Sequence, residues 1–108
     1  MMLPSNQNRG TPAYDLERIQ QLVGQGPLTC VVTTAALDGA HECGWDHSRV
    51  IEAVLLLRPG DFYKTMEADK RPGMWQDVYH LRFESVDLYV KLQIDFDGCA
   101  IVVQFKRR

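Results

Sequence analysis

Apolar and polar residues alternate with a period of two along the C-terminal part of the chain. From residue 86 onward every second position is apolar, and the apolar set is Val86, Leu88, Val90, Leu92, Ile94 and Phe96. Such alternation predicts a β-strand with one covered face and one open face. Asp97-Gly98 follows directly and predicts a two-residue hairpin turn into a last strand.

This hairpin predicts which residues of its two strands face each other. On the core face the predicted pairs are Ile94 with Ile101, Leu92 with Val103, and Val90 with Phe105. On the open face they are Lys91 with Gln104 and Tyr89 with Lys106. We therefore expect Tyr89 and Lys106 to stand side by side, with their Cβ atoms about 5 Å apart.

The preceding segment, residues 74–83, predicts another strand of the same sheet. Its more apolar side carries Trp75, Tyr79, Leu81 and Phe83, and its other side carries Gln76, Val78, His80 and Arg82. A short even-numbered loop through residues 84–87 brings this second set onto the face of Tyr89, Lys91 and Lys106. The open face of the sheet is therefore predicted to be cationic.

The N-terminal half is patterned for helices. Asp15 is predicted to cap a first helix, Thr34 a second over residues 35–43, and Asp46 a third that stops at Pro59-Gly60. Residues 29–33 predict a short buried strand. The third helix is apolar around most of its circumference, so we expect it to lie deep against the sheet; its apolar residues are Val50, Ile51, Val54, Leu55 and Leu57.

These elements predict an α+β fold with three N-terminal helices on one face of a C-terminal, mainly antiparallel, twisted sheet. A length of 108 residues with 45% apolar content suits a single domain over residues 1–108, with residues 1–10 a flexible lead. The longest apolar run, residues 50–57, is too short to cross a bilayer, and the N-terminus lacks the shape of a signal peptide. A soluble, cytoplasmic protein without a membrane partner is expected.

Charge and cysteine content refine this description. The formal net charge is −2, yet nine of the 12 basic residues lie in residues 58–108, which end in Lys106-Arg107-Arg108. Any anion site is therefore expected in the C-terminal half, although a basic terminal triplet can also serve only to solubilise a final strand. Three cysteines without C-x-x-C spacing favour buried, reduced thiols over disulfides.

Tyrosine, lysine, arginine, glutamine and histidine on an open sheet suit the cleavage of RNA by its own 2′-hydroxyl. That reaction needs a proton acceptor, a proton donor and cations for the charge that grows on phosphorus, and it requires no metal or cofactor. Tyrosine and lysine titrate near about 10, and clustered cations are expected to lower either pKa. The alternative is that each such residue forms an ordinary solvated cross-strand pair.

Several motifs in this half follow the pattern of one known family. DFYKTM at residues 61–66, WQDVY at 75–79, LYVKL at 88–92 and VVQFKRR at 102–108 resemble, in order and spacing, the MqsR toxins. The resemblance extends back to Thr11-Pro12 and includes LVGQG and GWD. It implies a RelE-like fold and a type II toxin that cleaves single-stranded mRNA at GC-containing triplets. It also implies a cognate antitoxin, with DNA reached only through that antitoxin.

The resemblance also assigns residues. It implies a catalytic set of Lys64, Gln76, Tyr89 and Lys106. Tyr89 would transfer a proton, Lys64 and Lys106 would bind phosphate and stabilise the transition state, and Gln76 would orient the attacked nucleotide. The position of Lys64 rests on the resemblance alone. Further candidates for binding RNA or phosphate are Arg82, Lys91, His80 and Arg107.

The chain also departs from the family pattern. His80 stands where the family carries arginine, and Leu81 replaces a proline. His80 is therefore either a substituted cation, which we favour, or a supplementary acid–base group.

Two alternatives remain open. Metal-ligating residue types gather in His41-Glu42-Cys43 and Asp46-His47, but the two histidines lie six apart across a predicted helix end at Gly44. We therefore expect no metal there and interpret the segment as a polar corner between helices. The alternative function is that of a non-catalytic member of the fold that uses the cationic face only to bind RNA or a partner protein.

Overall fold

The computed structural model describes residues 10–108 as three helices and a five-stranded sheet. In chain order the elements are α1 (Leu16–Gly24), β1 (Cys30–Val32), α2 (Thr34–Glu42), α3 (His47–Leu56), a 3-10 turn (Pro59–Asp61), β2 (Phe62–Glu67), β3 (Trp75–Phe83), β4 (Val86–Ile94) and β5 (Ala100–Arg107). The predicted α+β class is confirmed. The predicted flexible lead lies outside the described residues except for Gly10. Within residues 10–108 no helix is long and apolar enough to cross a bilayer.

Side-chain oxygens begin all three helices. The carboxylates of Asp15 and Asp46 accept backbone N–H groups of α1 and α3, as predicted. The second helix begins one residue earlier than expected, because Thr33 rather than Thr34 is its cap. Thr33 Oγ1 accepts from Ala36 N at 3.1 Å and donates to Val103 O at 2.8 Å. The same hydroxyl therefore caps α2 and ties it to β5.

The sheet has the strand order β1-β5-β4-β3-β2. Only β1, which pairs with β5, runs parallel to its neighbour, and the other three pairings are antiparallel. The helices cover one face of this sheet, where α2 lies against β5. The side chains enclosed between the layers include Ile19, Val50, Val54, Leu88, Val90, Leu92, Val102 and Phe105, all fully buried.

Helix α2 approaches β5 so closely that one position admits only glycine. A Cβ atom built on Gly39 would lie 1.8 Å from the carbonyl oxygen of Phe105. Because that neighbour is backbone within a sheet, it cannot move aside without moving β5. Gly39 therefore sets the distance between the helical layer and the strand that carries Lys106.

Helix α3 lies less deeply than its composition predicts. Leu55 is 44% exposed and Leu56 is 53% exposed, whereas Val50, Ala53 and Val54 are fully buried. The expectation that this helix lies deep against the sheet is therefore met only by its buried side, which includes Val50 and Val54. Since α2 occupies the position against β5, α3 packs beside α1 and α2 and buries one side only.

The β4–β5 hairpin turns over three residues, not two. Asp95 N donates to Cys99 O at 2.8 Å, and Gly98 has a φ of 87°. Near the turn the pairs are Ile94–Ala100, Gln93–Ile101 and Leu92–Val102, so the predicted pairs Ile94–Ile101 and Leu92–Val103 are wrong. A β-bulge then leaves Val103 unpaired and restores the predicted pairs Lys91–Gln104, Val90–Phe105 and Tyr89–Lys106.

The three cysteines are free thiols, as expected. Only Cys30 is buried, whereas Cys43 and Cys99 are partly exposed. Burial is the first cause that raises the pKa of the Cys30 thiol.

Candidate active site

One row of the open face crosses the three strands β3, β4 and β5. The turn between β3 and β4 consists of Glu84 and Ser85, whose φ angles of 51° and 65° suit a two-residue hairpin. It sets His80 opposite Tyr89, and the β4–β5 register sets Tyr89 opposite Lys106. The predicted neighbourhood of these three side chains is therefore confirmed.

A second row places Lys64 on the same face. Lys64 on β2 lies opposite Val78, Val78 lies opposite Lys91, and Lys91 lies opposite Gln104. Because directly opposed residues point to the same side of a sheet, Lys64 and Lys91 flank Val78 on the open face. The sequence alone did not place Lys64, and the strand pairing brings it beside the predicted cationic residues.

Gln76 is held at the other end of this face by a second glutamine. Its Nε2 donates to Oε1 of Gln93 at 2.8 Å. Gln93 is only 6% exposed and reaches Asp95 Oδ1 at 3.4 Å. The buried Gln93 amide therefore fixes the direction in which the side chain of Gln76 points.

Aromatic rings and ammonium groups gather around the first row. Tyr63 stacks on His80 with ring centroids 4.1 Å apart and planes at 20°, and the His80 and Tyr89 centroids are 6.2 Å apart. The Nζ atoms of Lys106 and Lys91 lie 5.0 and 5.8 Å from the Tyr89 ring centroid. Lys64 Nζ lies 5.7 Å from the Tyr63 centroid. We call Tyr63, Lys64, His80, Tyr89, Lys91 and Lys106 the cationic cluster.

The C-terminal residue Arg108 reaches this cluster, whereas Arg107 does not. Arg108 Nη1 lies 3.1 Å from His80 Nδ1, and Arg108 N donates to Asp87 O at 2.8 Å. Arg107 lies opposite Leu88, whose side chain is fully buried in the core. The structure therefore places Arg107 on the helical side of the sheet, away from the other predicted site residues.

Arg82 lies beyond the cluster, near the β3–β4 turn. Its Nη1 is 3.0 Å from Asp87 Oδ1, and both side chains are about half exposed or more, at 65% and 49%. An ion pair this exposed contributes little to stability, so the guanidinium can exchange its partner at low cost.

The pKa shifts of Tyr89 and Lys91 have opposite directions, and of the two only that of Tyr89 differs from the sequence-based expectation. Burial, followed by the neighbouring Tyr63, raises the pKa of Tyr89 instead of lowering it. Burial also lowers the pKa of Lys91; Asp69 opposes this effect, while Lys64 and Lys106 add to it. Both shifts follow from burial, which disfavours the charged form of either group.

The pKa of His80 is lowered by burial first, and then by Arg108 and Lys64. A lowered pKa leaves the imidazole predominantly neutral near pH 7. This disagrees with the interpretation of His80 as a substituted cation. Instead Arg108 brings a positive charge to the position beside it.

In the polar corner between α2 and α3, the carboxylate of Asp46 caps the start of α3. Asp46 Oδ1 accepts from Ser48 Oγ at 2.7 Å and from Arg49 N at 3.2 Å. A cavity of about 480 Å³ lies here, lined in part by His41 and Trp45. In the part of the chain that the structure describes, no group of three or more His, Cys, Asp or Glu side chains could hold a metal ion.

Three residues that lie near the predicted site were not predicted from the sequence as site residues: Tyr63, Gln93 and Arg108. Strict alternation along β2 puts Tyr63 on the side opposite Lys64. A bulge between Phe62 and Lys64 inserts Tyr63 as an extra residue and turns it toward His80. In the sequence, the position of Tyr63 directly before Lys64 in DFYK was the one sign that it belongs to the site. No residue type in that stretch indicates a β-bulge.

The three N-terminal helices on one face of a mainly antiparallel C-terminal sheet define an α+β domain whose open face carries Tyr, Lys and Gln side chains. Residues 11–107 match the family described as "Motility quorum-sensing regulator, toxin of MqsA". The mRNA interferase toxin MqsR of Escherichia coli (strain K12) is 32% identical over 98 residues, which cover 91% of this chain and 96% of that protein. The chain therefore belongs to the MqsR toxin family.

Proposed function

We propose that this protein is the toxin of a type II toxin–antitoxin system and stops translation in the cytoplasm by cleaving single-stranded mRNA. The observation that supports this most is the row His80–Tyr89–Lys106, with the ammonium groups of Lys64 and Lys91 beside it. A proton-bearing phenol surrounded by cations suits a scissile phosphate. The name of the Escherichia coli relative, mRNA interferase toxin, supports the same substrate class.

Tyr89 is the proton donor in this proposal. Attack of the 2′-hydroxyl on phosphorus breaks the bond to the 5′-oxygen of the next nucleotide, and that oxygen must gain a proton as it leaves. Burial raises the pKa of Tyr89, so its phenol keeps its proton at neutral pH. Lys106, whose Nζ is 5.0 Å from the ring centroid, is placed to bind the phosphate that Tyr89 faces.

Lys91 is the proton acceptor for the 2′-hydroxyl. It lies two residues after Tyr89 on the same face of β4, and its pKa is lowered. A lysine with a lowered pKa gives up its proton more readily than an ordinary surface lysine, which is what a proton acceptor requires. Lys64 and Lys106 then stabilise the charge on the phosphate, and Gln76, fixed by Gln93, orients the attacked nucleotide.

Outer contacts extend the proposed RNA path. Arg82 is placed to bind a flanking phosphate by exchanging its ion pair with Asp87. Arg107 is left out of the site because it projects from the opposite face. Cleavage at GC-containing triplets is carried over from the family resemblance. We propose no divalent metal, since lysine side chains supply the positive charge that the transition state requires.

The proposed protein partner is a cognate antitoxin that silences the toxin. The family description names MqsA as the counterpart of these toxins. Any contact of this protein with DNA would then pass through that antitoxin.

The decisive experiment incubates the purified protein with a defined mRNA in excess EDTA and maps new 5′-hydroxyl ends. We expect discrete cleavage at GC-containing triplets, and at least about 10²-fold less with Tyr89→Phe prepared in the same way, which controls for contaminating nucleases. Binding of the RNA without any cleavage would contradict the nuclease and favour the non-catalytic alternative. Cleavage that appears only when magnesium is restored would contradict metal independence alone.

A further inference from the structure

Tyr63 is a large aromatic side chain left more than half exposed beside the cationic cluster. It is 56% exposed, although it lies within β2 and is preceded by Phe62, which packs at the edge of the core. The β-bulge turns its ring out of the strand pattern. Exposed tyrosines are common on protein surfaces, so exposure alone assigns no role to this residue.

The orientation of the ring is what distinguishes Tyr63. One of its faces lies on His80 at 4.1 Å and 20°, so a neighbouring ring determines its plane. His80 is in turn placed by its opposite residue Tyr89 and by Arg108, whose Nη1 is 3.1 Å from His80 Nδ1. A fixed and exposed aromatic face loses little conformational entropy when a flat ligand stacks on it.

The groups around Tyr63 suit a nucleotide. Lys64 Nζ lies 5.7 Å from the Tyr63 ring centroid. A base on the ring and its own phosphate near this ammonium can therefore belong to a single nucleotide. His80 is predominantly neutral near pH 7, so it supports Tyr63 as an aromatic ring and not as an additional cation.

We propose that the outer face of Tyr63 is a stacking subsite for one nucleobase of the RNA, and that it forms a base–Tyr63–His80 stack next to the phosphate held by Lys64. This rests on the proposed RNA substrate. Stacking is tolerant of sequence, because every base has a π-face, so the subsite positions the strand without selecting a triplet. Such subsites combine with cationic grooves in proteins that bind single-stranded nucleic acids.

The test uses a short 2′-fluoro oligoribonucleotide, which lacks the attacking hydroxyl, with 2-aminopurine at each position in turn. With the wild type we expect quenching of its fluorescence at one position. Tyr63→Ala and Tyr63→Leu should lose that quenching and bind about 10-fold more weakly. Tyr63→Phe should retain both properties, because it keeps the ring. Tyr63→Leu is included because it still covers His80, so a loss shared with Tyr63→Ala comes from the missing ring.

Phe96→Ala is the matched control. Phe96 is 76% exposed but belongs to the β4–β5 turn instead of the cationic cluster. We expect this variant to bind like the wild type. Unchanged affinity and quenching in Tyr63→Leu, or an equal loss in Phe96→Ala, would overturn the stacking subsite.

This test is separate from that of the nuclease. A wild type that shows quenching dependent on Tyr63 but cleaves no mRNA would support the subsite and contradict the nuclease. An active nuclease whose binding does not depend on Tyr63 would overturn the subsite alone.

Discussion

Tyr89 and Lys106 stand directly opposite each other on β4 and β5, with the ammonium nitrogen 5.0 Å from the phenol ring centroid. The pair lies on the side of the sheet opposite the three helices of residues 10–108. Its position depends on the bulge at Val103, which offsets the extra residue of the hairpin turn. The geometry of the proposed site is therefore set by an irregularity in the strand, not by a regular ladder.

Replacing Tyr89 by phenylalanine should remove the proton donor and keep the packing of the ring. We expect cleavage to fall by about 10²- to 10⁴-fold, the usual contribution of general acid catalysis. RNA affinity and the midpoint of thermal unfolding should stay close to wild-type values. Single-turnover cleavage, measured beside a thermal melt, checks both. Full activity in Tyr89→Phe would remove Tyr89 from the reaction, and unfolding of the variant would show a structural role.

Lys64→Ala should abolish cleavage through the loss of a phosphate contact, without unfolding the protein. Lys70→Ala is its matched control, because Lys70 is an exposed lysine in the β2–β3 connection, outside the cluster. Both variants remove one positive charge, so a change that arises only from net charge would affect them equally. We expect cleavage and growth inhibition to be lost in Lys64→Ala and kept in Lys70→Ala. Equal effects would contradict a specific role for Lys64.

Lys91→Arg separates proton transfer from phosphate binding. Arginine keeps the positive charge but does not release its proton in proteins. If Lys91 accepts the 2′-hydroxyl proton, Lys91→Arg should lose cleavage by about 10²-fold or more and still bind RNA. The measurement is single-turnover cleavage together with affinity for a non-cleavable oligonucleotide. Retained cleavage would show that Lys91 acts only as a cation and that the acceptor lies elsewhere.

His80 should titrate below its ordinary pKa, and Arg108 should be part of the reason. Burial and two cations, Arg108 and Lys64, disfavour the imidazolium form. Removal of a cation therefore favours protonation, so Arg108→Gln should raise the pKa of His80. The rise should stop short of the ordinary value of about 6.5, since burial and Lys64 remain. NMR titration of the ring protons measures this, and an unchanged or lower pKa would contradict the described contact.

The local signals in the sequence predicted most of the fold. Asp15 and Asp46 mark helix starts because each carboxylate satisfies a free backbone N–H, which depends only on nearby residues. Alternation along β3 and β4 likewise predicted His80 and Tyr89 on one face. Residues close together in the sequence determine a helix cap or the face of a strand, so these features can be predicted without knowledge of the tertiary structure.

The errors came from interactions that no local pattern encodes. A turn of three residues and a bulge at Val103 shifted the β4–β5 pairs nearest the turn, and a second bulge moved Tyr63 onto the site face. Leu55 was predicted on the buried side of α3 but is 44% exposed, because α2 occupies the position against the sheet. The direction of the Tyr89 pKa shift was missed because burial is a tertiary property.

Gly39→Ala should destabilise the fold, although alanine ordinarily favours a helix over glycine by roughly 0.5–1 kcal/mol. The new methyl group would lie 1.8 Å from the carbonyl oxygen of Phe105, so α2 or β5 has to move. Overpacking of this kind costs about 1–3 kcal/mol and sometimes more. Because Lys106 follows Phe105 directly, the displacement should also reduce cleavage.

Gly24→Ala is the matched control for Gly39→Ala. It introduces the same methyl group at the end of α1, where the nearest atom is Cδ2 of Leu55 at 3.9 Å, an ordinary contact. We expect Gly24→Ala to be neutral or slightly stabilising and fully active. Urea denaturation of both variants, combined with the cleavage assay, measures the difference. If Gly39→Ala were as stable and as active as Gly24→Ala, the close approach of α2 to β5 would be wrong, and with it the account of what positions the strand carrying Lys106.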